Sequence, residues 1–187
     1  FITGLVVGLL LFLERRGGLG EVSAPQPVQG GVYTEALVGN IQRLNPLLDD
    51  TNNVDRDINS LVYSGIVKFD SHGLAQPDLA ESVGVSQDGI LYNILLKEGI
   101  TWHDGHPLTT ADILFTIELM IEGKEYVPED VQSLWDTIDV KAFDDLNMQF
   151  KLPEAFAPFM DYLAFGILPE HIFGEMTIEQ VVNSTMN

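Results

Sequence analysis

Two histidines and a carboxylate lie within four positions of one another in the segment His103-Asp104-Gly105-His106. Imidazole and carboxylate groups are metal ligands and are also the usual groups of acid–base catalysis. A metal-dependent hydrolase using His103, Asp104 and His106 is therefore one hypothesis. The alternative is that Asp104 and Gly105 form a turn, that Trp102 before them is buried, and that both histidines lie on the surface. Metal ligands usually come from separated elements or from positions i and i+4 of one helix, so we favour the turn.

The remaining histidines and the absent residue types give no further support to catalysis. His72 and His171 stand alone on predicted loops, and nothing beside them marks either as a ligand. The chain has no cysteine, which removes thiol nucleophiles, disulfides and cysteinyl zinc sites together. No nucleophile elbow, phosphate loop or dinucleotide fingerprint is present. We therefore expect no catalytic residues, no metal and no cofactor.

Charge and composition restrict the class of partner. The 187 residues include 28 acidic and 9 basic ones, for a formal net charge of −19, and 45% of them are apolar. That is enough chain and enough apolar surface for one packed domain. A surface that tracks phosphates needs clustered Lys and Arg, which this chain lacks. We expect no nucleic-acid partner.

The start of the chain differs from the rest. Residues 1–16 are a run of apolar or small side chains closed by three charged ones. Pro25 follows the one plausible signal cleavage site at Ala24, and proline there is unfavourable for cleavage. We therefore expect a partial membrane anchor or signal segment at residues 1–16, most simply an uncleaved anchor, with a buried core helix as the alternative. Residues 17–29 have the composition of a flexible tether, and the folded domain then covers residues 30–187.

The folded part alternates strand and helix signals, which predicts an α/β fold. Strands are predicted at residues 32–36, at 66–69, around Tyr92, Ile94 and Leu96, and at 138–143 and 146–152. Short helices are predicted at residues 54–62 and 157–165. A longer helix is predicted to start after Thr109, because Asp112 stands three residues later in the pattern of a capping box.

The first helix has a predicted face, start and end. Its apolar residues recur at helical spacing and predict one buried stripe, made of Val54, Ile58, Leu61 and Val62. Asn52 or Asn53 can cap its start through a side-chain oxygen. Gly65 can close it in the left-handed conformation.

Five segments in this order carry a resemblance to a known family. They are GGVYTEALVGNIQRLNP, INSLVYSGIVKFD, QPDLAESV, SQDGILYNILLKEGITWHDGHPLTTADILFTIE and ILPEHIF. Together they resemble the N-terminal part of the extracellular solute-binding proteins of family 5, the peptide, oligopeptide and nickel receptors of ABC importers. The most specific part is K-x-G-x-x-W-x-D-G followed by P-x-T-x-x-D at the start of a helix. The resemblance covers residues 30–173.

The resemblance implies a type II periplasmic-binding-protein-like fold, of which this chain holds an incomplete first lobe, a mixed sheet with flanking helices. It implies capture of an extracellular solute between two lobes and delivery to ABC permease subunits, at the periplasm or the cell surface. The ligand stays open among peptide, nickel complex, opine and oligosaccharide, with peptide as the default. A membrane-anchored sensor or scaffold with the same fold is the alternative function.

The resemblance also implies candidate ligand-binding residues, namely Asp50, Asp49, Thr51, Asn52 and Tyr126. In the family's peptide binders, the loop past the turn proline lines the cleft and can place an acid near the amino terminus of the peptide. Asp50 is in register with that acid, and Asp49 is the alternative because this loop is one residue longer. The alternative is a purely structural role: both acids are solvated loop residues, Asn52 only caps the next helix, and Tyr126 only packs against the protein.

Overall fold

The computed structural model describes residues 30–32, 34–123 and 125–184. The chain divides into two compact units, Phe1–Ala36 and Leu37–Asn187, and every helix and strand named below belongs to the second. The predicted anchor at residues 1–16 and tether at 17–29 lie outside the described residues. Within the described part, no helix is both long and apolar enough to cross a bilayer.

The strands form two antiparallel sheets. The first is a hairpin of β1 (Val67–Phe69) and β2 (Ala75–Pro77). The second is a four-stranded sheet with the order β3-β4-β6-β5, made of β3 (Ala80–Val85), β4 (Leu91–Leu96), β5 (Asp139–Ala142) and β6 (Asn147–Lys151). Every ladder of the described residues is antiparallel, so the sheet that we predicted as mixed is antiparallel in this part of the chain.

The helices flank these sheets and are short apart from one. They are α1 (Asn53–Val62), α2 (Thr110–Glu122), α3 (Glu129–Asp136), α4 (Glu170–Phe173), α5 (Ile178–Val182) and a 3-10 helix at Ala157–Ala164. The predicted capping box of α2 is confirmed: the Thr109 side chain accepts from the backbone, and Asp112 accepts from the Thr109 N–H at 2.8 Å. Ile113 and Ile117, one turn apart on α2, are buried.

The core lies between the four-stranded sheet and the helices. Tyr92, Ile94 and Leu96 are all buried on one face of β4, as their alternation predicts. Trp135 of α3 is 1% exposed and packs its ring against Phe150 of β6, with centroids 5.9 Å apart. This packing holds α2 and α3, and therefore the loop between them, in a fixed place.

Two predicted features of the backbone are wrong. Residues 32–36 form no strand in their described part, because a strand requires a hydrogen-bonded neighbour and no strand ladder includes them. Gly65 does not close α1, which ends instead at Tyr63 in an extended conformation, φ −109° and ψ 147°. A side chain at Gly65 would lie 2.9 Å from the backbone of Ala164 and Phe165, so glycine is there for a close approach of two chain segments.

Candidate functional site

A cavity of about 330 Å³ lies where the loop before α1 meets the loop between α2 and α3. Its wall is formed by Arg43, Leu48, Asp50, Thr51, Glu125, Tyr126, Val127 and Pro128. Three of the five predicted ligand-binding residues, Asp50, Thr51 and Tyr126, therefore line one cavity although the two loops are far apart in the sequence. Asp49 and Asn52 do not line it.

A larger cavity of about 480 Å³ lies elsewhere on the surface. Its wall combines the end of α2 with one face of α3 and contains two acidic side chains, Glu129 and Asp136. None of the predicted ligand-binding residues lines it. We therefore take the smaller cavity as the candidate site, because size alone does not bring chemistry-bearing residues together.

Asn52 acts as the cap of α1. Its side-chain oxygen accepts from the Val54 N–H at 3.0 Å, and its amide donates to the Asn40 carbonyl at 3.0 Å. Both polar ends of this side chain are therefore used within the protein. The geometry of Asn52 therefore agrees with the interpretation that its side chain caps α1.

The buried face of α1 is polar, so the apolar stripe predicted for it is wrong. Leu61 is 87% exposed, whereas Asp55 and Asn59, one turn apart, are 1% and 2% exposed. The two oxygens of Asp55 accept from the backbone N–H groups of Gln42 at 2.8 Å and Arg43 at 2.9 Å. This face is polar because it supplies hydrogen-bond acceptors and donors to the loop that carries the cavity residues.

Asp49 belongs to this buried contact and not to the cavity. The Asn59 amide donates to Asp49 Oδ2 at 2.9 Å. Burial raises the pKa of Asp49 above its ordinary value, although the hydrogen bond from Asn59 acts in the opposite direction. Its carboxylate therefore holds the loop against α1.

Asp50 differs from its neighbour because its side chain is exposed in the cavity wall. The Arg56 guanidinium donates to the backbone carbonyl of Asp50 at 2.6 Å and so leaves the Asp50 carboxylate unused. Across the cavity, Glu125 supplies a second exposed carboxylate, and no ion pair of the described residues involves either acid. Arg43 is the basic residue among the described residues of the wall. Two negative charges and one positive charge favour a ligand with a cationic group at this position.

Tyr126 is placed by a tight turn after α2. The Gly123 carbonyl accepts from the N–H groups of Tyr126 at 2.7 Å and Val127 at 2.9 Å. Val127 is 7% exposed and anchors the loop in the core, which leaves Tyr126 half-buried at the cavity. An aromatic ring in this position can stack on a ligand or face its ammonium group.

The turn predicted at Asp104 and Gly105 is confirmed. The Trp102 N–H donates to the His106 carbonyl at 2.8 Å, and Gly105 has φ 88°. His103 and His106 are exposed, as predicted, but Trp102 is only half-buried, so our expectation of full burial is wrong. Trp102 packs against the edge of the core and lines two surface grooves.

His171 is not alone on a loop, contrary to our expectation. It lies in α4, its Nε2 is 2.7 Å from Asp104 Oδ2, and its ring stacks on His106 with centroids 4.0 Å apart. The backbone N–H of His106 and then the His171 ring lower the pKa of Asp104. His72 lies in the exposed turn after β1, with Nδ1 3.9 Å from Asp70 Oδ1. Within the described residues, no three side chains of His, Asp or Glu come close enough to hold a metal ion.

Sequence reasoning missed Arg43 and Glu125. Glu125 adjoins Tyr126 in the sequence, and this adjacency is the signal that could have found it. Arg43 precedes the turn at Pro46 and has no comparable signal. It lies in the cavity wall, and its backbone N–H donates to Asp55 Oδ2 at 2.9 Å.

Comparison with known proteins gives one family and several solved structures. The model of the bacterial extracellular solute-binding proteins, family 5, middle region, matches residues 75–177. The oligopeptide-binding protein AppA of Bacillus subtilis is 29% identical over 167 residues, which are 88% of this chain and 30% of the relative. The dipeptide-binding protein of Escherichia coli is 30% identical over 169 residues, which are 78% of this chain and 31% of the relative.

Solved structures agree with these matches. The structure of Bacillus subtilis AppA in complex with a nonapeptide has a TM-score of 0.70 and 27% identity, and covers 81% of this chain. NikZ of Campylobacter jejuni in complex with Ni(L-His) has a TM-score of 0.67 and 29% identity, and covers 80% of this chain. The chain spans 30% and 29% of these two relatives.

Proposed function

The chain belongs to the bacterial extracellular solute-binding proteins, family 5, and from this membership we propose that the complete protein captures an extracellular peptide and delivers it to the permease subunits of an ABC importer. The predicted fold class is confirmed, because solved type II periplasmic binding proteins superpose on 80% and 81% of the chain. Members of this family are solute-binding proteins. Binding without catalysis is therefore the activity that we propose.

The cavity that joins Asp50, Thr51 and Tyr126 is the observation that carries this proposal. A peptide offers an ammonium group with three N–H donors, and carboxylates are acceptors only. Asp50 and Glu125 supply such acceptors in the wall, and the Tyr126 ring adds a face that attracts cations. The arrangement thus suits the amino terminus of a peptide better than a neutral solute such as a sugar.

The printed ligands of the relatives support the same class. AppA of Bacillus subtilis holds a nonapeptide, and NikZ of Campylobacter jejuni holds a nickel complex of histidine. Both ligands are built from amino acids. We propose a peptide for this protein because the cavity wall carries two carboxylates that form no ion pair with any of the described residues, and an ammonium group would match them.

The site lies outside the cytoplasm in this proposal, at the periplasm or the cell surface, where solute-binding proteins of this family act. Attachment to the membrane through residues 1–16 stays a prediction. A sensor or scaffold with the same fold, and a hydrolase using His103, Asp104 and His106, are alternatives that no observation favours.

The test is a substitution that removes charge and keeps shape. In the complete protein, Asp50→Asn should weaken binding of trialanine roughly ten- to a hundredfold, because a charge-assisted hydrogen bond is lost. Binding of N-acetyl-trialanine, which lacks the ammonium, should change little. Isothermal titration calorimetry measures both, with Asp57→Asn as the control, since Asp57 is an exposed acid of α1 that does not line the cavity.

The proposal has two ways to fail. If the native protein binds no peptide, a peptide is not the ligand. If Asp50→Asn, Asp49→Asn and Glu125→Gln all leave the affinity for trialanine intact, the cavity does not bind the positive end of the ligand.

A further inference from the structure

Arg43 places a positive charge in a cavity wall whose other charged side chains, among the described residues, are the acids Asp50 and Glu125. We propose that Arg43 binds a carboxylate of the ligand, and that the buried side chain of Asp55 positions Arg43 for this contact. The inference rests on the proposed function and adds a second charged group to the ligand. The ligand then carries an ammonium group and a carboxylate close together.

The guanidinium of Arg43 is available for such a contact. Its side chain is exposed, and none of the ion pairs of the described residues includes it. Arg56, the other arginine near the loop, is instead used to hold the Asp50 carbonyl at 2.6 Å. A guanidinium presents N–H groups in a planar fork that matches the two oxygens of a carboxylate, so an unpaired arginine in a cavity is suited to anion recognition.

Asp55 fixes the backbone from which Arg43 projects. It is 1% exposed, and its two oxygens accept from two consecutive backbone N–H groups, those of Gln42 and Arg43. Hydrogen bonds to an ionised acceptor are about twice as strong as neutral ones. These two hydrogen bonds hold the backbone of Gln42 and Arg43 against α1. The Arg43 side chain therefore extends from a backbone that is fixed in place.

The chain on both sides of this anchor is also tied to α1 and its ends. The Asn52 amide donates to the Asn40 carbonyl at 3.0 Å, and the Tyr63 hydroxyl donates to the Leu44 carbonyl at 3.0 Å. The anchored segment therefore includes Arg43 in its middle. An arginine on such a segment loses less freedom on binding than one on an untethered loop.

The two charges of the cavity wall set the chemistry of the ligand. Asp50 and Glu125 take the ammonium group, and Arg43 takes the carboxylate. The carboxylate can be the carboxyl terminus of a very short peptide, since two extended residues span about 7 Å. It can also be an acidic side chain near the amino terminus of a longer peptide.

Two pairs of peptides separate these sources in calorimetry on the complete protein. Dialanine against dialanine amide tests the carboxyl terminus. Ala-Asp-Ala amide against Ala-Asn-Ala amide tests an acidic side chain. In one of the two pairs, the native protein should bind the peptide with the carboxylate more tightly than its amide counterpart. Arg43→Gln should reduce that preference roughly ten- to a hundredfold and leave binding of the amide members unchanged. Lys151→Gln is the control, because Lys151 is an exposed cation of β6 that does not line the cavity.

The role of Asp55 is tested by the same measurement, the affinity for the carboxylate peptide relative to its amide counterpart, and not by stability alone. Asp55→Asn replaces one acceptor with an N–H donor that faces a backbone N–H, so it should reduce the preference for the carboxylate as Arg43→Gln does. Asp55→Glu keeps the charge and should restore part of it. In the double variant of Arg43→Gln and Asp55→Asn, the two losses should not add, because both act through one guanidinium.

The outcomes are separable from those of the proposed function. If the native protein binds the peptides and prefers neither carboxylate, or if Arg43→Gln leaves the preference intact, Arg43 does not bind an anion. If the Asp55 variants lower only the melting temperature, with the preference unchanged, Asp55 is structural. If no peptide binds, the proposed function itself fails.

Discussion

Asp49 and Asp50 are neighbours in the chain and lie in different electrostatic surroundings. Asp49 is turned towards α1, where the Asn59 amide donates to it and burial raises its pKa. Asp50 faces the cavity and is exposed. A one-residue difference therefore separates a carboxylate that holds the loop from one that is free to bind a ligand.

Replacing Asp49 should stabilise the protein near neutral pH. Its pKa is raised above the ordinary value of 3.8, so the folded state keeps the proton to higher pH than the unfolded state does. The free energy of unfolding therefore falls as the pH rises from about 3.8 through the pKa of the folded state. At neutral pH the ionised Asp49 carboxylate destabilises the folded protein. Asp49→Asn keeps an oxygen for the Asn59 amide and removes the charge. Thermal melting should show a higher melting temperature than native at about pH 7, and no gain at about pH 3, where Asp49 is protonated in both states.

Asp88→Asn is the matched control with the opposite sign. Hydrogen bonds from the Ser86 hydroxyl and the Ile90 N–H lower the pKa of Asp88. A lowered pKa contributes stability above the unfolded value, and that stability is lost as the pH falls through the folded value. Asp88→Asn should therefore give no gain at neutral pH. A rise in melting temperature for Asp88→Asn as large as that for Asp49→Asn would show that the effect is only the reduced net charge.

The roles of these residues differ in how far sequence can predict them. The capping position of Asn52 follows from the residues next to it, so it could be predicted. The burial of Asp49 depends on Asn59 and the contribution of Arg43 depends on Asp55, and neither pairing has a local signal. The cavity residues Asp50, Thr51 and Tyr126 were found through a resemblance to a family and not through their spacing.

The secondary-structure elements also divide into features with a local signal in the sequence and features that depend on distant residues. The start of α2 and the buried face of β4 were predicted correctly, because capping and alternation are local properties. The face of α1 was predicted wrongly, because its apolar residues suggested burial while the loop needed polar partners. Gly65 was misread for a related reason: its closest neighbours, Ala164 and Phe165, are almost a hundred positions away in the sequence.

Gly65→Ala should destabilise the protein strongly. The added Cβ would lie 2.9 Å from the backbone atoms of Ala164 and Phe165, which cannot move aside as a flexible side chain can. Overpacking of this kind costs roughly 1 to 3 kcal/mol. Gly84→Ala is the control, because the nearest atoms to its added Cβ lie at 3.9 and 4.0 Å and its φ is not left-handed. Chemical denaturation measures both, and equal stability of the two variants would show that the segments at Gly65 are not in close contact.

For the molecule as a whole, the acidic excess matters more than any one charge. The chain carries a formal net charge of −19, and the two described cavities both have acidic walls. Composition alone indicated this field, whereas the place of the cavity depends on packing of α2 and α3 against the sheet. The strand predicted at residues 32–36 failed for the same reason, since the identity of its neighbour is a property of the whole fold and not of the segment.

This charge should speed the capture of cationic peptides. A field of one sign around a cleft raises the association rate of an oppositely charged ligand, and salt weakens it because the screening length falls from about 30 Å at 0.01 M to about 10 Å at 0.1 M. For the complete protein, stopped-flow fluorescence should show that the association rate constant of a Lys-containing tripeptide falls several-fold over this range. A tripeptide with alanine in place of lysine, N-acetylated and C-terminally amidated so that it carries no charge, should show little change.

Substitution of Glu129 and Asp136 tests whether the acidic surface speeds association of the cationic tripeptide. Both residues line the larger cavity, at α2 and α3, and not the candidate site. Glu129→Gln with Asp136→Asn should therefore slow association of the cationic tripeptide at low salt and leave its dissociation rate unchanged, because the contacts of the bound ligand are intact. If the pair of substitutions changes dissociation instead, the α3 acids contact the ligand directly. If the cationic and neutral tripeptides depend equally on salt, the acidic surface does not steer the ligand and serves solubility alone.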